Sequence, residues 1–98
     1  MTWKFDQARN VACITCRSVI EGHPVLVAIH YEDDHSWGFL DGQPVDMAAA
    51  LVVAMSSVVD RYPDLNEIAH LPPSWEATRV AVGKPWSKRQ SDWVTEGK

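Results

Sequence analysis

Val25–Gly42 reads V-L-V-A-I-H-Y-E-D-D-H-S-W-G-F-L-D-G, and its two apolar runs decide the expected fold. The first, Val25–Tyr31, is nearly all apolar and rich in β-branched residues, the composition of a central strand buried on both faces for most of its length. Glu32-Asp33-Asp34 then reads as a polar turn. His35–Leu40 reads as the next strand, with Trp37 and Phe39 on one face and Ser36, Gly38 and Leu40 on the other. Gly38 has no side chain, so another backbone or an aromatic ring can approach there. Asp41-Gly42 is a turn dipeptide that closes the strand.

On the N-terminal side, Val11–Ile20 is again rich in β-branched residues and reads as a strand. The short link Glu21-Gly22-His23-Pro24 predicts that it forms an antiparallel hairpin with Val25–Tyr31. Trp3 and Phe5 alternate with polar residues, which leaves room for a short strand before it. On the C-terminal side, Asp46 suits a helix N-cap with Pro44 just ahead of it. Met47, Leu51, Met55 (or Ala54) and Val58 recur at helical spacing, and Val52, Val53 and Val59 widen the stripe. Arg61 falls in the last turn of this predicted helix, and Pro63 ends it. Asp64 caps a second short helical turn to Ala69 or His70, and Leu71-Pro72-Pro73 is extended but not a regular strand. Ala77–Val82 reads as the last strand. The polar tail 87–98 is expected to be flexible, with Trp93 as a possible anchor. The expectation is one α+β domain with its core in about 11–86. It has a small antiparallel sheet of about four strands and one main helix packed on one face, in the order β-β-β-α-α-β.

Composition limits the function classes. The chain has 98 residues, 46% of them hydrophobic and 22% charged, which is ordinary for one globular domain. The longest apolar candidate, Ala48–Met55, is far short of the ~18 residues a membrane span needs. The opening M-T-W-K-F-D-Q-A-R-N lacks the apolar region of a secretory signal. A cytoplasmic location is therefore expected, with Cys13 and Cys16 as free thiols. The net charge is -4, from 13 acidic and 9 basic residues. Between Ser18 and Asp60 there is no Lys or Arg, yet the stretch holds Glu21, Glu32, Asp33, Asp34, Asp41, Asp46 and Asp60. Such a surface repels a phosphate backbone and suits a basic protein partner, or serves only as a solvated acidic face.

Two constellations suggest chemistry. Cys13-x2-Cys16 and His30-x4-His35 have the spacing of a Cys2His2 zinc site. However, a zinc finger places its histidines on a helix, and His30 lies in a strand-like run. The same cysteines could form a redox pair, but positions i and i+3 of a strand face opposite ways. His35 with Asp33 or Asp34 could act as a base–carboxylate pair, although crowding in a turn explains them equally well. No G-x-S-x-G, phosphate-binding loop or dinucleotide glycine pattern is present. Five tryptophans, Trp3, Trp37, Trp75, Trp86 and Trp93, are many for a small core. Trp37, flanked by Asp33, Asp34 and Asp41, is the best candidate for an exposed anchor, unless it simply packs with Phe39 beneath the helix.

Several segments together resemble a known family: Ile14–Ile20 (I-T-C-R-S-V-I), Pro24–Asp34 (P-V-L-V-A-I-H-Y-E-D-D), Ser36–Gly42 (S-W-G-F-L-D-G) and Asp60–Leu65 (D-R-Y-P-D-L). The pattern resembles the bacterial DUF2185 family, also described as the Imm33-like immunity-protein domain. Ser36 stands where that family commonly has glycine. The resemblance implies a cytosolic bacterial protein that, in immunity-type members, binds and neutralises a toxin. It supplies no catalytic residues and no cofactor. The expected function is therefore a non-enzymatic protein-binding module that occludes a basic partner, with Glu32, Asp33, Asp34, Trp37 and Asp41 as its binding residues. The alternatives are a metal- or thiol-dependent protein using Cys13, Cys16, His30 and His35, or a structural homodimer. Neither nucleic acid nor a membrane is an expected partner.

Overall fold

The computed structural model describes residues 3–31, 36–42 and 50–90. Its elements are β1 (Ala12–Cys16), α1 (Arg17–Ile20), β2 (Val27–His30), β3 (Trp37–Leu40), β4 (Ala50–Ala54), α2 (Met55–Val59), a 3-10 helix (Pro63–Ile68), β5 (Trp75–Thr78) and β6 (Ser87–Gln90). The strands form one sheet in the order β4-β1-β3-β2-β5-β6. β1 and β3 run parallel, with Ile14 opposite Gly38. The other neighbours are antiparallel.

Strand alternation sorts the side chains into two faces. One face carries Cys13, Thr15, Ala28, His30, Trp37, Phe39 and Ala77, all buried. Phe5, Val19, Met55, Val58, Val59, Leu65 and Ile68 complete the core with them. Burying these side chains is the main source of stability in a domain this small. The opposite face carries Ile14, Ile29, Gly38, Leu40, Val52 and Glu76. There the ring of Tyr31 lies directly over Gly38. A Cβ at Gly38 would sit 2.9 Å from the Tyr31 hydroxyl, so glycine is what admits the ring.

The sheet overturns the expected fold. It has six strands, not four, and it is mixed, not antiparallel. Among the described residues the helices are three short pieces, and none is a main helix packed on the sheet. The largest change is at Ala50–Ala54, which forms a strand paired along its whole length with β1. The apolar period switches at Met55. Leu51 and Val53 follow the two-residue period of a strand, and Met55, Val58 and Val59 follow the helical one. Met55 fits both patterns, so a single helical stripe could be drawn through the whole run. The proposed N-cap Asp46 and Met47 lie outside the described residues.

The expected β1–β2 hairpin is also absent. α1 takes the second half of the Val11–Ile20 run, and Gly22 at φ 116° turns the chain away from it. β1 pairs instead with β3 and β4, and β2 lies beyond β3. The last predicted strand begins earlier, at Trp75, and ends at Thr78; Val80 and Val82 are exposed. Part of the supposed tail, Ser87–Gln90, is the edge strand β6. Trp3–Gln7 is not a strand; it bends at Asp6 and Gln7 and carries Phe5 into the core. The short helical turn after Pro63 is present, but Asp64 does not cap it. Its carboxylate accepts a hydrogen bond from the Arg79 guanidinium instead.

Candidate binding site

Trp37 is the residue whose placement most alters the expected site. β3 sits inside the sheet and directs Trp37 onto the core face, where it is fully buried. Its ring stacks on His30 at 4.2 Å between centroids and lies parallel to Phe39 at 5.8 Å. Phe5 meets it edge-on at 5.1 Å. The indole N–H donates to the Gln7 side-chain oxygen at 3.1 Å. Trp37 therefore has no free face for a partner, which corrects its assignment as an exposed anchor. The sequence signal for this was its spacing from Phe39, which places both rings on one side of the strand.

Asp41 is separated from the rest of the expected set. It follows the C-terminal end of β3, whereas Tyr31 and Ser36, which flank the acidic turn, lie at the other end of that strand. The Tyr31 N–H donates to the Ser36 carbonyl at 2.9 Å. Half-buried Asp41 accepts a hydrogen bond from the Ser18 hydroxyl at 2.5 Å and so ties α1 to the sheet. Glu32, Asp33, Asp34 and His35 lie outside the described residues. Trp37, Asp41 and the flanks of the turn thus do not form one surface.

The cysteines diverge. Cys13 faces the core and Cys16 faces the opposite side of β1, as strand geometry requires. Burial pushes the Cys13 thiol up to about 12, because a thiolate there loses its hydration. The Cys16 sulfur contacts the Ser18 hydroxyl at 3.3 Å. Among the described residues, no three His, Cys, Asp or Glu side chains gather as metal ligands would. His30 is held by its Nδ1, 2.7 Å from the Leu71 carbonyl. A carbonyl only accepts, so this nitrogen donates and the proton sits on Nδ1.

A recess that was not legible in the sequence lies beside His30. Lys4, Asp6, Gln7, His30, His70 and the Leu71–Pro73 segment enclose about 430 Å³. Phe5 anchors one wall by entering the core, which leaves its exposed neighbours Lys4 and Asp6 at the rim. The Trp3–Gln7 alternation was the only local clue to this wall. The recess is at the end of the sheet where β2 finishes and β5 begins, the same end as Tyr31 and Ser36.

Two basic side chains reach the recess, Lys4 at its rim and Lys88 with its Nζ 3.4 Å from His70 Nε2, and two arginines are held elsewhere by ion pairs near β5. Arg79, just past β5, is buried. Its Nε and Nη2 donate to the Val25 carbonyl at 3.1 and 3.0 Å, its Nη1 pairs with Asp64, and its guanidinium lies 4.3 Å from the Trp86 ring centroid. On β6, Arg89 pairs with Glu76 at 3.0 Å. β4, β1, β3 and β2 carry no Lys, Arg, Asp or Glu. None of the described helices is long and apolar enough to cross a membrane. No family model, curated protein or solved structure matches the chain.

Proposed function

We propose that the chain is a non-catalytic protein-binding module of the immunity-protein type, which neutralises a partner by covering a basic surface on it. The carrying observation is that one end of the sheet combines the His30 recess with Tyr31 and Ser36, the flanks of Glu32-Asp33-Asp34. A basic partner is attracted by the three carboxylates, and a recess of this size admits one of its side chains. Charge segregation supports the reading. No Lys or Arg occurs between Ser18 and Asp60, although Lys4 lines the recess and Lys88 reaches its His70 at 3.4 Å. Trp37 and Asp41 contribute through the fold and not by contact.

The test is affinity isolation of the full chain from its native cell, followed by measurement of the isolated pair. A stoichiometric partner is expected, bound in a salt-sensitive manner. Charge reversal of the turn (Glu32→Lys, Asp33→Lys and Asp34→Lys together) should weaken it by about 100-fold or more. The proposal is wrong if no stoichiometric partner is recovered, or if the reversal leaves affinity unchanged.

A further inference from the structure

β4 is an outermost strand of the sheet among the described residues. Its inner side is committed to β1, and one bond sets the phase of that ladder. The Met55 N–H donates to the Val11 carbonyl at 2.8 Å. These residues stand opposite one another when the Ala12↔Ala54 register is extended by one position. Hydrogen-bonded pairs recur at every second residue of an antiparallel ladder. Val53 and Leu51 therefore turn their N–H and C=O groups toward Cys13 and Thr15. Ala50 and Val52 turn theirs outward, away from β1, as does the N–H of Ala54, whose carbonyl opens α2 as its N-cap.

The two edges of the sheet differ in charge. β6 (Ser87-Lys88-Arg89-Gln90) carries two cations, which disfavour pairing with another copy of itself. β4 (Ala50-Leu51-Val52-Val53-Ala54) has no charge and no proline. Val52 is 71% exposed on it. An uncharged edge with outward backbone groups is an open template for strand addition.

We propose that β4 pairs with β4 of a second copy, antiparallel, about a two-fold axis through Val52. In this register Val52 faces its own counterpart and Ala50 faces Ala54. Val52 then exchanges two N–H···O bonds with its counterpart, and the Ala54 N–H donates to the Ala50 carbonyl on each side. The two Val52 side chains also meet across the axis. The uncharged strands meet at the centre, and the cationic β6 edges lie farthest apart. The association is closed, because each copy has one such edge. It does not depend on the partner-binding role proposed above.

Sedimentation equilibrium on the full chain from about 10 μM to about 1 mM, the range for a small interface, tests this together with amide hydrogen exchange. A monomer–dimer equilibrium is expected, and the Val52 and Ala54 amides should become at least about tenfold better protected as the dimer fills. Val52→Lys alters an exposed side chain, so the fold should survive while dimerisation weakens at least about tenfold. Val52→Thr should still dimerise. Four results would overturn the inference. They are a monomer throughout the range, open-ended assemblies, a dimer that Val52→Lys leaves intact, or a Val52 amide already protected in the dilute monomer.

Discussion

Arg79 and Asp64 offer a direct measure of what holds the β5 end of the sheet. The Arg79 side chain is only 2% exposed, and Asp64 is 31% exposed. The cation also donates to the Val25 carbonyl and stacks on Trp86, so it cannot swing out to water without disrupting three contacts. Asp64→Asn keeps the shape of the side chain and removes the countercharge. Breaking a fully buried pair from one side costs about 3–5 kcal/mol. The partial exposure of Asp64 screens some of that interaction, so about 2–3 kcal/mol is expected here. At a urea slope of about 1.2 kcal/mol/M, the unfolding midpoint should fall by about 2 M. Asp60→Asn is the matched control, because its pair with Arg9 is 48% exposed on both sides. It should cost no more than about 0.5 kcal/mol. Equal midpoints for the two variants would refute the reasoning, because the buried cation would then not depend on its carboxylate.

Trp37→Ala should destabilise the fold by about 3–5 kcal/mol in the same urea assay, with loss of the near-ultraviolet circular dichroism of the His30–Trp37–Phe39 stack. A change in partner affinity without that loss would restore Trp37 as a contact residue. Cys13 should resist alkylation at pH 8 in the native state while Cys16 reacts; equal rates would contradict its burial. Its native pKa lies above the unfolded one, at about 12 against 9.0. The associated stability is therefore complete below pH 9 and is lost as pH rises from 9 toward 12. Cys13→Ala should flatten that alkaline limb of a stability–pH curve.

The strands β2 and β3 were readable because their signals are local: a β-branched run, a turn, and Trp37 and Phe39 two residues apart. The 3-10 helix after Pro63 was readable for the same reason. β4 was not. Ala-Leu-Val-Val-Ala is too short and too uniformly apolar for periodicity to separate strand from helix. What makes it a strand is β1, some forty positions back in the chain. The pairing of β1 was likewise hidden, because α1 consumes the length that a β1–β2 hairpin would need. β6 has the polar composition of a tail and is ordered by pairing with β5. Of the expected site, the acidic turn rested on sequence alone. The recess beside His30 comes from the Trp3–Gln7 segment folding over the core face, for which only its alternation gave a hint.

The position of β1 has a consequence for how the chain assembles. β2 and β3 zip together from near neighbours, but Ile14 finds its places only beside Gly38 and Val52, and Ile29 waits longer still for Glu76 of β5. Among the strands of this sheet β1 is made first, and it must wait until Ala54 has appeared before both its sides are filled. Closing such distant contacts is the slow part of folding. Until then, the Cys13–Thr15 segment, which later lies one strand in from the β4 edge and is buried on the core face, has one side open with its thiol accessible.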